Sequence, residues 1–313
     1  MLDLLFSRCC LRHSKLLRAQ PMRSLAEMWS DTLKEFPPVQ CDPDPDFFID
    51  FLGVKTRMDY LPQPYLAFKG TVEGRPGLDR AGINDPVEWV GVLRSVAEVQ
   101  TSFTCIELGA GWAPFAIGSA VAARRRGVRD ILLVAVEAAR SHVDFAYQHF
   151  EDNSFDPKYH RIIHAAVGPY DGTAEFSKIS DPSSEWDAEA GFGSYSKTRN
   201  SNRAQPTEEV RCISLTSLLR EVDRTVDIVH IDIQGAEAAV IEHAANDVDR
   251  LVRRMVIGTH GRDIEQTLFE FLDSRGWELE LEKACRFQQL SGRAISLFQD
   301  GAQVWKNRRF AQN

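Results

Sequence analysis

The chain has 313 residues, of which 43% are hydrophobic and 26% are charged. These fractions are typical of soluble globular proteins, and the length allows one large domain with additions or two small ones. A net charge of −8 argues against the broad basic face of nucleic-acid-binding proteins. No apolar run approaches the roughly 20 residues of a membrane-spanning helix. The sequence therefore predicts no nucleic-acid partner and no membrane span.

Cysteine use and the N-terminus bear on location. The six cysteines form no C-x-x-C pair and show no spacing typical of a disulfide framework or a zinc site, which favours a reducing, cytoplasmic setting. Residues 1–28 carry five basic and two acidic side chains among leucines. We interpret this segment as a basic N-terminal extension, and an organelle-targeting segment is the alternative.

The first 85 residues are predicted to form a cap region of helix and irregular chain. Residues 37–82 are rich in proline and glycine, and proline fixes φ and removes a backbone donor, so no long helix fits there. The pattern changes at Asp85-Pro86, which suits the N-cap and first position of a helix. We therefore predict that a second region covers residues 86–313.

Strands and helices alternate within this second region. Apolar runs predict strands over 103–108, 131–137, 161–167, 226–232 and 254–259, and helical periodicity predicts helices over 114–126, 141–153, 236–245 and 264–275. Ser141 and Asp144 make a capping-box-like start for one helix. Late strands over 277–283 and 294–299, with the turn signal Asp300-Gly301, predict an antiparallel end hairpin. The alternation indicates an α/β fold with a mostly parallel sheet and helices on both faces.

A long insert, residues 178–206, separates the third and fourth of these strands. It is rich in Ser, Asn, Gly and Asp and contains Trp186, Phe192 and Tyr195. Segments of this length without regular structure are usually lids, binding loops or disorder. We predict a lid over a bound acceptor, with the three aromatic side chains as stacking groups.

A glycine-containing turn follows the first strand of the alternation. It reads Glu107-Leu108-Gly109-Ala110-Gly111, and glycines there let the backbone approach a ligand at a helix N-terminus. A dinucleotide-binding turn would place its third glycine at position 114, where Pro114 stands. Bulky Trp112 would also crowd a pyrophosphate. The turn therefore favours S-adenosylmethionine (SAM), which has no pyrophosphate.

Residues that end the second and third strands complete a predicted nucleoside site. Glu137 closes the second strand, where an acid can accept both ribose hydroxyls. Ala165 and Ala166 end the third strand and leave room for an adenine ring. Taken singly, Glu137 could be a solvated strand-end acid and the alanines ordinary sheet packing; the glycine turn favours ribose binding for Glu137.

Candidate catalytic residues follow the fourth and fifth strands. Asp232 ends the fourth strand, at the sheet edge where open α/β folds bind ligands. His260 follows the fifth strand and could serve as general base, and a structural histidine is the alternative. Glu237 lies in a helix's first turn, where the dipole favours an acid in any case. His230 lies inside a strand and is predicted to be structural.

Together these motifs resemble the FkbM family of SAM-dependent methyltransferases over about residues 88–282. The resemblance depends most on Ile231-Asp232-Ile233-Gln234-Gly235-Ala236-Glu237, against a family pattern close to K-I-D-V-E-G-x-E. His230 and Gln234 depart from it, since lysine and glutamate are usual there. The family implies a Rossmann-like fold with a seven-stranded sheet. It also implies methyl transfer, typically to a hydroxyl of a sugar or natural product.

Carried onto this chain, the resemblance assigns a role to each motif. Glu107, Gly109, Ala110 and Gly111 would hold the amino-acid end of SAM and Glu137 the ribose. Ala165 and Ala166 would lie near adenine. Asp232 would border the methyl group and the acceptor, with Asp232 or His260 as base.

Metal dependence, the acceptor and the oligomeric state stay open at the level of sequence. The rival functions are an NAD(P)-dependent Rossmann oxidoreductase or epimerase, and a methyltransferase-like binding protein without activity. The first would need a third glycine and commonly a Tyr-x-x-x-Lys catalytic pair, and neither is in place. The intact glycine turn and Glu137 argue against the second. The absence of an Asx-Pro-Pro-Tyr turn after the fourth strand favours O-methylation over N-methylation.

Overall fold

The computed structural model describes residues 23–79, 83–191, 206–289 and 295–312. Phe192 and Tyr195 of the predicted lid lie outside these ranges. Within them, no helix is both long and apolar enough to cross a membrane.

The N-terminal region packs tightly against the rest of the chain. Helix α1 (Leu25–Glu35) begins at a capping box between Ser24 and Glu27. It is followed by short strands and two 3-10 turns: β1 (Phe48–Ile49), β2 (Lys55–Thr56), Met58–Tyr60, Gln63–Phe68 and β3 (Thr71–Val72). Arg57 forms a bidentate ion pair with Asp152 at 2.7 and 2.8 Å, and Trp29 lies in the main hydrophobic core.

A seven-stranded sheet organises the rest of the molecule, as the sequence predicts. Its strands are β4 (Ser102–Leu108), β5 (Asp130–Glu137), β6 (Arg161–His164), β11 (Ile228–Ile231), β12 (Arg254–Thr259), β13 (Trp277–Lys283) and β16 (Gly301–Asn307). Their order is β13-β16-β12-β11-β4-β5-β6, and β16 alone runs antiparallel to its neighbours. β4 is buried along both faces except at its first residue, because helices cover both sides.

The helices follow the predicted alternation, with some changes at their ends. They are α2 (Pro86–Ala97), α3 (Pro114–Arg125), α4 (Arg140–Asp152), α5 (Leu215–Val222), α6 (Glu237–His243), α7 (Ala245–Leu251) and α8 (Arg262–Ser274). The predicted helix over 236–245 is wrong in extent, since the chain bends at Ala244 into α7 and buries Val248 in the same core as Val240.

The predicted capping box at Ser141 is also wrong. Helix α4 begins at Arg140 after the N-cap Ala139, which supplies no side-chain hydrogen bond. The Glu137 carboxylate instead accepts the Ala139 amide at 2.7 Å and fixes the turn out of β5. The helix therefore starts earlier, and Asp144 pairs with Arg140 at 3.0 Å.

A second, four-stranded sheet explains why the third predicted strand is interrupted. The chain leaves β6 at His164, passes Ala165 and enters β7 (Ala166–Gly168). β7 pairs with β10 (Thr207–Ser214), and β8 (Gly172–Ser177) and β9 (Ala190–Gly191) follow in order. This sheet carries the described part of the insert, residues 178–191, to the edge of the main sheet.

The antiparallel end of the main sheet is formed differently from the predicted turn. Asp300-Gly301 does not join two paired strands, since β15 (Ile295–Gln299) pairs with β14 (Arg286–Gln289) and β16 pairs with β12 and β13. Gly301 lies against Thr259 at the end of β12, where a Cβ would overlap the Thr259 side chain. Glycine at position 301 therefore allows the start of β16 to lie directly against the end of β12.

Candidate active site

A cavity of about 250 Å³ opens at the carboxyl ends of β4, β5 and β11. Every residue predicted from sequence for a nucleoside site lines it: Glu107, Gly109, Ala110, Gly111, Glu137, Ala165 and Ala166. Asp232 lines it as well, and His260 lies directly behind Asp232. The fold thus brings together residues that are up to 125 positions apart in the chain, from Glu107 to Asp232.

The glycine turn requires glycine at the position nearest β11. Gly109 has φ +71°, and its amide donates to the carbonyl of Val136 at 3.0 Å. A Cβ on Gly109 would overlap the carbonyl oxygen of Asp232. Two strand ends therefore meet backbone to backbone, which no other residue type permits.

Glu107 is buried at the base of the cavity and caps helix α3. Its carboxylate accepts the amides of Ala116 and Phe115 at 2.7 and 3.3 Å. Burial raises the pKa of Glu107 to about 7, although the charge of His230 and the two amides favour its ionised form. Glu107 therefore fixes the start of α3 through these two amides. Its raised pKa lies near neutral pH.

Glu137 holds the loops on either side of β5. One carboxylate oxygen accepts the Gly111 amide at 2.8 Å and the other accepts the Ala139 amide at 2.7 Å. Each oxygen keeps a second lone pair, so the carboxylate can still receive hydroxyl donors from the cavity. Beside it, Ala165 and Ala166 are almost fully buried and present only methyl groups.

Asp232, His260 and Glu237 form one hydrogen-bonded chain. His260 Nε2 lies 3.2 Å from Asp232 Oδ1, and its Nδ1 lies 2.8 Å from Glu237 Oε1. Glu237 is fully buried and also accepts the amides of Ile233 and Gly235. Asp232 keeps 41% of its side chain exposed, so it is the member of the chain that faces the cavity.

The charges of Asp232, His260 and Glu237 shift the pKa values of His260 and Asp232. Burial opposes protonation of His260, but the Glu237 charge and the hydrogen bond to Asp232 prevail and raise its pKa well above the ordinary value. Desolvation likewise opposes ionisation of Asp232, and the hydrogen bond from His260 holds its pKa below the ordinary value. Both shifts favour an imidazolium that lies between two carboxylates.

The same three side chains bear on metal binding. Each offers one ligand atom, and these atoms lie within 4.8 Å of one another, so the group could hold a divalent ion. However, the two ring nitrogens of His260 point toward different carboxylates. A metal would have to replace a proton on that ring, and the described arrangement is that of a hydrogen-bonded relay.

Part of the insert covers the cavity with aromatic rings. Trp186 stacks on His142 with ring centroids 3.9 Å apart and meets Trp112 edge-on at 4.8 Å. His142 Nε2 also lies 2.9 Å from the carbonyl oxygen of Pro182. These contacts hold residues 182–186 over the glycine turn. Sequence reasoning selected Trp186 but missed His142, because a histidine inside an amphipathic helix gives no signal of its own.

The cavity is acidic. No Lys or Arg is present among its described lining residues. Five carboxylate side chains line it: Glu88, Glu107, Glu137, Glu185 and Asp232. Sequence reasoning missed Glu88, Glu185 and His230, the last of which was predicted to be structural. All three become wall residues only because separate elements converge. Such a cavity favours a cationic ligand over a pyrophosphate.

Comparisons with known proteins find methyltransferases among both the relatives in sequence and the similar solved structures. A protein named "Putative methyltransferase" from Jannaschia sp. (strain CCS1) is 29% identical over 262 residues, 83% of this chain and 92% of the relative. Among solved structures, precorrin-6Y C5,15-methyltransferase of Geobacter metallireducens GS-15 is 12% identical, with 72% and 88% of the two chains covered and a TM-score of 0.39. The C-terminal domain of the Rhodobacter capsulatus enzyme of that name is 10% identical, with coverages of 72% and 89% and a TM-score of 0.38. Likeness to solved structures at this level carries no information on activity.

The family comparison is more specific. The family described as "Methyltransferase FkbM domain" matches residues 115–287, more than half of the chain. The match contains Glu137, both alanines, Asp232 and His260, and it begins just after the glycine turn. The chain belongs to the FkbM methyltransferase family.

Proposed function

We propose that this methyltransferase uses SAM and transfers the methyl group to a hydroxyl of a sugar-like or natural-product-like small molecule. The observation that carries the cofactor assignment is the acidic cavity at the glycine turn. SAM carries a sulfonium cation, which the acidic side chains of the cavity would attract. NAD(P) carries a pyrophosphate, for which the described cavity wall supplies no Lys or Arg.

The nucleoside is proposed to lie between the glycine turn and the alanine pair. Glu137 would accept its ribose hydroxyls through the lone pairs that the Gly111 and Ala139 amides leave free. The adenine would lie against Ala165 and Ala166, with Trp186 above the turn. Residues 178–206 would then act as the lid that excludes water from the reacting groups.

Asp232 is the proposed proton acceptor. The bound SAM would supply an activated methyl group, and an attacking alcohol oxygen becomes strongly acidic as its bond to that methyl forms. A carboxylate of low pKa is therefore a sufficient base if it is held in place. The raised pKa of His260 favours its protonated form, which cannot accept this proton, so we assign His260 the role of positioning Asp232.

Glu237 completes this positioning chain. Its charge keeps the proton on His260, and its two loop amides fix the turn that carries Asp232. The same residues do not demand a metal in this scheme. Measuring the methyl-transfer rate with an added divalent metal and with a chelator would test whether Asp232, Glu237 and His260 bind a metal ion.

The cofactor assignment is tested by titration calorimetry. We expect wild-type protein to bind S-adenosylhomocysteine and to show no comparable affinity for NAD. Glu137→Gln should weaken this binding about tenfold or more, because a charged acceptor of two hydroxyls is lost. Asp227→Asn is a control, since Asp227 accepts the Thr104 amide near the starts of β4 and β11, at the opposite end of these strands from the cavity. NAD binding without S-adenosylhomocysteine binding would overturn the proposal.

The reaction is tested by a screen of hydroxyl acceptors with methyl-labelled SAM. Once an acceptor is found, Asp232→Asn should lower kcat by about 100-fold or more and leave S-adenosylhomocysteine affinity within a few fold. His260→Gln should have a smaller effect on kcat, because the carboxylate remains. Full turnover by the Asp232→Asn variant would refute the role of Asp232. Label found on nitrogen would refute O-methylation.

We also propose a cytoplasmic location and an acceptor that is not a nucleic acid. The cysteine pattern favours a reducing setting, and the net charge of −8 argues against a nucleic-acid acceptor. A methylation assay on bulk RNA and DNA would check the second point.

A further inference from the structure

His230 is a buried side chain with one ring nitrogen unused. Its ring is 2% exposed and lines the cavity beside Glu107. Nε2 lies 3.2 Å from Glu88 Oε1. Nδ1 is buried and has no hydrogen-bond partner among the described residues. A buried polar atom without a partner costs free energy, which points to a group that is bound there.

The orientation of the His230 ring is fixed from two directions. Phe115 stacks on one face with centroids 4.0 Å apart, and Glu88 holds Nε2. The ring therefore cannot turn to satisfy Nδ1 elsewhere without losing both contacts. Its free nitrogen is 4.0 Å from Glu107 Oε1, too far for a hydrogen bond and close enough for one small polar group to contact both atoms.

We propose that Nδ1 of His230 binds the charged α-amino-acid end of SAM, beside the Glu107 carboxylate that the family resemblance already assigns to that end. This inference rests on the proposed function, because it assumes that the nucleoside occupies the Glu137 side of the cavity. An ammonium and a carboxylate are the two polar groups at that end. A neutral Nδ1 accepts a hydrogen bond from the ammonium, and a protonated Nδ1 donates one to the carboxylate.

The distribution of charge around the cavity makes His230 the natural partner. Five acids line the wall, and the described lining residues include no Lys or Arg. Two histidines remain as side chains that can carry a positive charge. His142 is engaged with Pro182 and stacks on Trp186, on the Glu137 side. His230 is therefore the one available beside Glu107.

The test compares ligands that differ only at the proposed contact. S-adenosylhomocysteine carries the whole amino-acid end, its decarboxylated analogue keeps the amine alone, and methylthioadenosine lacks both groups. Their affinities are measured by calorimetry for wild type and variants. His230→Gln keeps a polar group directed at Glu88 and removes the one at Nδ1, whereas His230→Asn keeps a polar atom near the Nδ1 position.

We expect His230→Gln to weaken S-adenosylhomocysteine binding about ten- to 100-fold and to leave methylthioadenosine within about twofold of wild type. His230→Asn should lie closer to wild type. If the decarboxylated analogue is as insensitive as methylthioadenosine, the contact is to the carboxylate. If it is as sensitive as S-adenosylhomocysteine, the contact is to the ammonium.

Controls separate this inference from the proposed function. His160→Gln, at the start of β6 and away from the cavity, should change neither affinity. If His230→Gln does not fold, Glu88→Gln replaces it, and a selective loss of S-adenosylhomocysteine affinity is again expected. Equal losses for all three ligands, or no loss, would overturn the role of His230 and leave the proposed function standing. Wild-type protein that binds none of the ligands would overturn both.

Discussion

The contact between Gly109 and the backbone of Asp232 allows a quantitative prediction. In a Gly109→Ala variant the backbone must keep φ +71° with a side chain present, which costs about 1–2 kcal/mol. The new Cβ would also overlap the carbonyl oxygen of Asp232, and forced overpacking costs about 1–3 kcal/mol more. We expect the free energy of unfolding to fall by about 2–5 kcal/mol.

The chain provides a matched control for this variant. Gly127 follows helix α3 with φ +89°, and a Cβ there meets nothing within 4 Å. Gly127→Ala should therefore show the backbone cost alone, about 1–2 kcal/mol. The difference between the two losses in free energy of unfolding is the cost of the overlap between a Cβ at position 109 and the Asp232 carbonyl oxygen.

Urea unfolding followed by circular dichroism gives both free energies, and calorimetry gives S-adenosylhomocysteine affinity. Gly109→Ala should lose binding as well as stability, because relief of the overlap moves Asp232 or the turn. Gly127→Ala should bind normally. Equal destabilisation by the two substitutions, with binding intact, would show that the strand ends can separate freely and would refute the reasoning.

Three further predictions follow from other buried groups and from the insert. Because the pKa of Glu107 is raised to about 7 from 4.5, the folded state binds more protons between these values and loses stability as pH rises. The wild type should therefore lose about 3 kcal/mol more than Glu107→Gln from pH 4.5 to 7 in urea unfolding, and parallel pH profiles would contradict this. Arg254 is 1% exposed and bonds Glu280 at 2.7 Å, and Arg94 bonds the same carboxylate at 2.8 Å. Arg254→Met should therefore cost about 1.5–3 kcal/mol, because its charged hydrogen bonds are lost and Glu280 keeps Arg94 as a partner. The double variant with Glu280→Met should lose less than the sum of the two single losses in the same assay, and additive losses would contradict a direct ion pair. Trp186→Ala should speed cleavage by a glutamyl endopeptidase after Glu185, since stacking on His142 anchors this segment, and an unchanged rate would argue that the stack does not hold the insert.

Local chemistry explains how much of the fold was readable from sequence. Burial on both faces leaves continuous apolar strands such as 131–137, and turn residues such as Gly127 mark the helix ends, so the order of elements follows from the chain alone. The prediction failed where a distant or preceding side chain replaced a local signal. Glu137 took over the turn that Ser141 was expected to cap, and β16 pairs with β12 and β13 rather than with the strand before it.

The candidate site divides in the same way. The sequence by itself determined the residues that stand at strand ends, namely the glycine turn, Glu137, the alanine pair, Asp232 and His260, because the carboxyl ends of parallel strands share one edge. Only the tertiary structure decided which groups share charge and protons. Glu237 lies in the first turn of its helix, as expected, and its carboxylate also lies 2.8 Å from His260 Nδ1. His230 is buried inside its strand, and its Nδ1, which has no hydrogen-bond partner among the described residues, lies 4.0 Å from Glu107. Such pairings join residues far apart in the chain, and burial sets their strength, so no local pattern records them.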